Sequence, residues 1–418
     1  MVIRKAYKFR LRFGKPSDAL PFHQFAGSCR FVWNKALSLQ KARLDKKKRL
    51  LSYPETAALL VKWKKAHPFL KEVPSQALQQ RLMDLDKALA EGLDPKNPKE
   101  FPAFKKKYKS LESFRYPQGF EIRKSRIFLP KFGWIRFFKS REIEGTPKNV
   151  TVSLSAGHWF ISVQTEMEVP EPLHPSTTSV GGDFGVKRLL TLSSGIGFFP
   201  VTALAGSLKK LIIAQKKLSR QVKKSNNWKN QKRVIGKLHS RIANIRSDRL
   251  HRISNYVSKN HALVVLEDLR VKTLSASAKG TVENPGTHVR KKSRLNRIIL
   301  DQGWGELRRQ IGYKQSWRGG MMILVEPAYT SQECSVCGHI SPHNRPSREL
   351  FYCTRCGHAE NADENAAKVV LRRVGHTRLA CGSNGASSPS EAGTDTALSR
   401  DSAVGIPQFS EGRMSMIA

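Results

Sequence analysis

Four cysteines toward the C-terminal end constrain this chain more than any other feature. Cys334-x2-Cys337 and Cys353-x2-Cys356 are separated by fifteen residues, and each half runs on as Cys-Gly-His, at Cys337-Gly338-His339 and Cys356-Gly357-His358. Two thiolates spaced this way can both reach one ion at about 2.3 Å, and the glycine that follows permits the tight turn. Four thiolates close the coordination shell. The pattern therefore predicts a structural zinc ion on Cys334, Cys337, Cys353 and Cys356, with His339 and His358 outside the ligand set. Cys29 lies on an apolar helical face and reads as core, and Cys381 falls in the tail. This usage suits a reducing compartment better than a disulfide frame.

Charge sets the second constraint. The 418 residues carry 74 Lys+Arg against 33 Asp+Glu, a net charge of +41. Self-repulsion of that size calls for a polyanionic partner, and nucleic acid is the common one. The longest apolar runs reach only about half the ~20 residues of a membrane span. Met1-Val2-Ile3-Arg4-Lys5 leads directly into charged, alternating sequence with no apolar signal core. Secreted, membrane and disordered classes fit poorly, and a cytosolic protein is expected. From His376 onward there is no Lys, and Gly, Ser and Ala dominate without periodicity. Residues 376–418 read as a disordered tail, so the polyanion-binding charge lies before it.

Val2 to Phe13 alternates as a strand. Residues 19–95 read as helical, with Phe22, Phe25, Ala26, Cys29, Val32 and Trp33 recurring at helical spacing. Short strand-like runs follow at 126–129, 134–137, 150–153 and 159–163. Aromatics interleaved with Lys and Arg over Phe104–Tyr108, Phe114–Tyr116 and Phe132–Phe138 suit either a base-stacking surface or a β-core with solvated edges. From about Ser179 the character changes to alternating strands and helices, which argues for an α/β layer fold. Within it, Lys209 to Arg252 holds fifteen basic residues and one acid, Asp248. Its apolar stripes (Leu211, Leu218, Val222; then Leu238, Ile242, Ile245) predict two basic helices joined near Ser225-Asn226-Asn227. Ala262 to Leu266 reads as a strand buried on both faces.

Three acids stand out against this background. Asp183 ends a strand among small and apolar neighbours, Ser179-Val180-Gly181-Gly182-Asp183-Phe184-Gly185, where a carboxylate is costly unless paired or metal-bound. Glu267 closes the buried 262–266 strand at the end where open α/β sheets place their sites, and Asp268 points the other way. Asp363 opens a helix and shares the face of Ala366, Ala367 and Val370. Glu364 shares that of Lys368 and Arg372. Three inward carboxylates brought together would raise one another's pKa, and hard divalent cations, Mg²⁺ or Mn²⁺, would remove the penalty. Two such ions about 4 Å apart can activate water and stabilise the leaving oxygen of a phosphodiester. N-caps and ion pairs are the alternative explanation for each acid.

The segment order resembles TnpB, the OrfB protein of IS200/IS605-type transposons, related to the compact type V CRISPR nucleases. The resemblance rests on Gly27-Ser28-Cys29-Arg30-Phe31-Val32-Trp33-Asn34, Leu129-Pro130-Lys131-Phe132-Gly133-Trp134, Asp183-Phe184-Gly185 and Leu266-Glu267-Asp268-Leu269. Tyr313-Lys314 with Gly319-Gly320, Tyr329-Thr330-Ser331-Gln332-Glu333-Cys334 and Asn361-Ala362-Asp363-Glu364-Asn365 continue it, over about residues 1–375. Many members carry Asp-Arg where this chain has Asn361-Ala362.

The resemblance implies an α/β, RNase H-like RuvC nuclease domain with an inserted zinc ribbon, preceded by a wedge-like β-barrel carrying a helical recognition insertion. The implied layout is a first barrel strand at 1–15, a helical recognition region at 16–108 and the rest of the barrel at 109–175. The RuvC-like domain follows at 176–329 with its basic hairpin at 205–257, then the ribbon at 330–358, the final helix at 359–375 and the tail. It further implies Asp183, Glu267 and Asp363 as catalytic magnesium ligands, a transposon-derived guide RNA and target DNA as partners, and RNA-guided DNA cleavage as the activity. A strand-joining transposase and a catalytically silent RNA-guided DNA binder are the alternatives.

Overall fold

The computed structural model describes residues 1–97, 99–107, 110–200 and 203–380. The chain divides into two compact units, one built from Val2–Glu168 and the other from Val169 onward. Most of the predicted tail, 381–418 with Cys381, lies outside the described residues.

In the first unit, β1 (Val2–Arg12) alternates as its sequence dictates. Ile3, Tyr7, Phe9 and Leu11 are buried while Arg4, Lys8, Arg10 and Arg12 are exposed. Three helices follow: α1 (Leu20–Asp45), α2 (Tyr53–Ala66) and α3 (Ser75–Leu93). All six apolar α1 positions singled out above are buried. Glu55 closes a capping box with Ser52 at the start of α2. The remaining strands are β2 (Ser113–Tyr116), β3 (Glu121–Arg123), β4 (Arg126–Leu129), β5 (Gly133–Phe137), β6 (Thr146–Ser155) and β7 (His158–Glu168). They join β1 in one antiparallel sheet of order β2-β6-β7-β1-β5-β4-β3.

The aromatic clusters divide between core and surface. Phe114, Tyr116 and Phe137 are buried, and Phe22 stacks on Phe132 at 4.1 Å between ring centroids. Trp134, Phe138 and Phe104 stay exposed. Within the strands alternation decides the outcome, since side chains point to the two faces in turn, whereas Phe104 lies in the irregular segment before β2.

The second unit holds a five-stranded mixed sheet. Its strands are β8 (Ser179–Asp183), β9 (Leu190–Leu192), β10 (Gly197–Phe198), then, after α4 (Ala203–Ser219) and α5 (Asn226–Asn260), β11 (Leu263–Glu267). After α6 (Val271–Leu274), α7 (Val289–Gln302) and α8 (Trp304–Arg318) comes β12 (Met321–Val325). The order is β10-β9-β8-β11-β12, antiparallel from β10 to β8 and parallel from β8 through β12. A two-stranded hairpin, β13 (Leu350–Tyr352) and β14 (Ala359–Asn361), precedes the last helix, α9 (Ala362–Ala380). That helix continues five residues beyond the expected limit at 375.

β11 is buried on both faces. Val264 and Leu266 pack with Ile253 and Val257 of α5 and Leu307 and Ile311 of α8, whereas Val265 packs with Val370 and Val374 of α9. The basic segment forms the helical pair α4–α5, held by Leu211 and Ile242 with Leu208, Leu238 and Ile245 around them. Ser225 caps α5 by accepting from the Trp228 N–H at 3.2 Å. Val222, expected on the apolar stripe, is 79% exposed because it lies in the turn between the helices.

The layers meet most closely at Gly181. A Cβ there would stand 2.1 Å from the Ala367 carbonyl oxygen and 2.8 Å from the Leu371 Cβ, so only glycine lets α9 lie directly on β8. Overpacking typically costs ~1–3 kcal/mol, and this clash is with backbone. Gly181→Ala is expected to lower the unfolding free energy by about 3 kcal/mol or more, whereas Gly206→Ala, in open space on α4, changes it little or stabilises. Urea melts of the two variants check this; equal stability would contradict it.

Candidate metal-binding and nuclease site

The four sulfurs converge as the spacing predicts. All four lie within 4.8 Å of one another, with Cys334 and Cys356 Sγ 3.7 Å apart and Cys337 and Cys353 Sγ 3.5 Å apart. A tetrahedron with metal–sulfur bonds of about 2.3 Å has edges of about 3.8 Å, so the cluster fits a zinc ribbon. The two halves repeat one turn. Cys334 N–H donates to the His339 carbonyl and Gly338 N–H to that of Cys334; Cys353 N–H donates to His358 and Gly357 N–H to Cys353. Gly338 and Gly357 take φ of 76° and 71°, the left-handed region that glycine enters freely. The two histidines thus contribute backbone carbonyls to these turns. Burial would raise the Cys353 thiol, but the N–H groups of Cys356 and Arg355, with the Cys337 and Cys356 thiols, outweigh it and bring it down to about 6, while the neighbouring thiols push Cys356 up, as expected of sulfurs close enough to share protons. Asn344 Nδ2 donates to the carbonyls of Gln332 and His339 and its Oδ1 accepts from Thr354, which ties the halves together.

The three acids come from distant segments of the second unit. Asp183 ends β8, Glu267 ends the parallel neighbour β11, and Asp363 stands in the first turn of α9. Burial, then the charges of Glu267 and Asp363, push the Asp183 carboxyl well above its ordinary range. Burial also raises Glu267, opposed by the Thr330 hydroxyl, which donates to Oε1 at 2.6 Å, by Asp183 and by Arg373. Arg345, from the loop between the cysteine pairs, lies 3.8 Å from the Asp363 carboxylate and also favours the charged form of Asp183. The arrangement is looser than the thiol cluster. Among the described residues, only the four sulfurs form a set of three or more ligand atoms all within 4.8 Å.

Helix periodicity alone does not separate Asp363 from Glu364. Their side chains are 27% and 25% exposed, respectively. Their partners separate them, because Glu364 pairs with Arg188 at 3.3 Å while Asp363 lies in the field of Asp183. Asn361 accepts from the Asp363 N–H at 3.1 Å and so caps α9. Asp268 turns away to Arg308 at 2.6 Å. Thr330 and Arg345 escaped the sequence reading as site residues. Thr330 stands inside the Tyr329-Thr330-Ser331-Gln332 motif, whereas nothing in the sequence around Arg345 marks its destination.

Comparison with known proteins adds a family. The model described as "Probable transposase" (OrfB_IS605) matches residues 162–278, a Cas12f1-like TNB domain matches 304–370, and a "Helix-turn-helix domain" model matches 1–49. The last span is here a strand followed by one long helix. An Escherichia coli K12 protein named "Putative RNA-guided DNA endonuclease InsQ" is 51% identical over 382 residues, covering 90% of this chain and 94% of that protein. A Streptomyces pristinaespiralis protein of the same description is 31% identical, with 91% of each chain covered. Overlap with solved structures is loose. A Cas12f1–sgRNA–target DNA complex gives a TM-score of 0.34 at 16% identity (88% of this chain, 99% of that one), and a CRISPR-Cas_phi3 structure 0.44 at 10% (89% and 92%).

The pH dependence follows from Asp183. A carboxyl raised in the folded state contributes stability that is complete below its unfolded pKa and is lost as pH climbs through the folded one. In EDTA the protein is therefore expected to weaken as pH rises above the ordinary carboxylate range. Asp183→Asn should flatten that decline, so that the variant outlasts wild type at mildly alkaline pH. Urea melts across pH check it, and parallel profiles would contradict it. With 51% identity to one relative across nine-tenths of its length, and matching family models along the chain, this protein belongs to the IS605 OrfB, or TnpB, family.

Proposed function

We propose that this chain is an RNA-guided, divalent-metal-dependent DNA endonuclease of an IS605-type transposon, with Asp183, Glu267 and Asp363 as its catalytic metal ligands. The observation that carries the reading is that burial, with the charges of Glu267 and Asp363 from separate segments, raises the Asp183 carboxyl well above its ordinary range. Such a group is destabilising on its own and is relieved by hard cations. The residues fit Mg²⁺ or Mn²⁺, which when bound would activate water and stabilise the leaving oxygen of a phosphodiester. This chain's own residues supply the rest. Thr330 fixes one Glu267 oxygen, Asn361 fixes the helix start that carries Asp363, and Arg345 offers a cation beside Asp363 for an approaching phosphate.

The sheet supports an RNase H-like reading of the second unit, since three antiparallel strands continue into two parallel ones with helices on both faces of β11. Zinc on the four cysteines is structural in this reading. The first unit is assigned to the guide RNA and to a short DNA motif beside the target, with base pairing supplying sequence and the basic surface holding the heteroduplex by shape and charge.

Purified protein mixed with RNA transcribed from its own locus is expected to cut a plasmid carrying the matching target when Mg²⁺ is present. Asp183→Ala should reduce cutting to the level seen in EDTA. Equal nicking by both proteins would end the proposal, and joining of labelled element ends without guide-dependent cutting would favour the strand-transfer alternative. Elemental analysis should find about one zinc per chain, and Cys353→Ser should lose it together with thermal stability. Full stability without zinc would count against the ribbon.

A further inference from the structure

The antiparallel sheet of the first unit carries a charge arrangement that the fold itself does not need. At one end of β1, Arg4 stands directly opposite Glu166, and the two pair at 2.7 Å. At the other end Arg12 stands opposite Arg136 of β5, Arg136 opposite Arg126 of β4, and Arg126 opposite Arg123 of β3. Four guanidinium-bearing positions thus lie side by side in register across four strands. Strand spacing of about 4.8 Å makes the row about 14 Å long. Residues directly opposite share a face, and all four are exposed. Glu121 pairs with Arg123 alone; among the described residues no carboxylate pairs with Arg12, Arg126 or Arg136.

Like charges directly opposite one another destabilise a sheet. Protection of an exposed edge accounts for charge on β3, which is the edge strand, but not for charge on β1 and β5 in the interior. Two exposed aromatics border the row. Phe138 is 44% exposed, with Arg10 over its ring at 4.5 Å and Arg12 at 5.9 Å; Trp134 is 41% exposed, with Arg123 at 5.1 Å. A row of guanidiniums beside partly exposed rings, each with an arginine over it, matches the backbone and the unstacked bases of a single strand, whereas a duplex keeps its base faces covered.

We propose that Arg12, Arg136, Arg126 and Arg123, with Trp134 and Phe138, form a binding track for single-stranded nucleic acid, and that repulsion along it makes the free protein less stable than its fold allows. The choice of nucleic acid rests on the function proposed above. The test uses full-length protein freed of nucleic acid, with labelled poly(U), poly(dT) and a DNA duplex as probes in fluorescence anisotropy over a range of salt. The triple variant Arg12→Gln/Arg126→Gln/Arg136→Gln is compared with wild type and with Lys46→Gln/Lys47→Gln/Lys48→Gln, an equal charge loss elsewhere.

The track variant is expected to bind single strands at least about tenfold more weakly, with a salt slope shallower by about 2, at ~0.7 per phosphate contact. Its Tm should equal or exceed that of wild type. The lysine variant should lose less affinity, and the larger loss between poly(U) and poly(dT) identifies the strand as RNA or DNA. A track variant that binds no worse than the lysine variant, that melts below wild type, or that loses duplex binding as strongly as single-strand binding overturns the proposal. These readouts do not depend on cutting. A wild type that never cuts while the track result holds sinks the nuclease reading alone, and a protein that cuts while the track variant binds like wild type sinks this one alone.

Discussion

The second unit depends on the backbone contact between β8 and α9. Gly181 presents no side chain, so α9 can settle with the Ala367 carbonyl against the strand, and Gly182 makes the equivalent allowance for Leu266 and Leu190 on the opposite face. Asp183 is two residues from Gly181, and Asp363 is one helical turn before Ala367. The same approach that packs the layers therefore brings two acids nearly two hundred residues apart into each other's field. A side chain at Gly181 would separate the layers and the acids together.

Between those two acids the chain inserts the cysteine ribbon, and the ribbon is tied back to the sheet. Glu333, one residue before the first cysteine, pairs with Arg372 and Arg373 of α9. Arg373 also donates to the carbonyls of Glu326 and Ala328 just after β12. Asn365, fully buried, donates to the Glu333 carbonyl at 2.7 Å and accepts from the Ser335 N–H at 2.9 Å. Thr330 and Arg345 reach the carboxylates from either side of the first cysteine pair. The four thiols thus organise a loop that delivers two polar side chains to a site they do not themselves form.

The electrostatics of both units have a common form, in which like charges are held close by packing that is indifferent to them. In the sheet of the second unit these are carboxylates at the ends of buried strands; in the first unit they are guanidiniums on an open face. Each arrangement is destabilising in isolation, and a ligand of opposite sign would relieve it. A stability penalty set by geometry is a physical mark of a ligand site, and it can be measured with the ligand left out.

Local rules made much of this molecule legible. Alternation in Val2–Arg12, helical spacing from Phe22 to Trp33, the uniformly apolar run before Glu267 and the paired cysteines each follow from a few neighbouring residues, and each forms the expected element. The destination of a side chain that acts at long range was less legible. Alternation predicts that half the aromatics turn inward but not which face is inward, so Phe114 and Tyr116 joined the core while Trp134 and Phe138 did not. Glu364 is as exposed as Asp363 and differs in its neighbours, Arg188 for Glu364 against Arg345 and Asp183 for Asp363. Arg345 lies in a loop whose path is set by the cysteine cluster, and Arg12, Arg136 and Arg126 become a row only through strand register. Sequence by itself determined the elements, because propensity and periodicity act over a few residues; tertiary structure alone decided which charges meet, because that depends on register and packing between segments far apart in the chain.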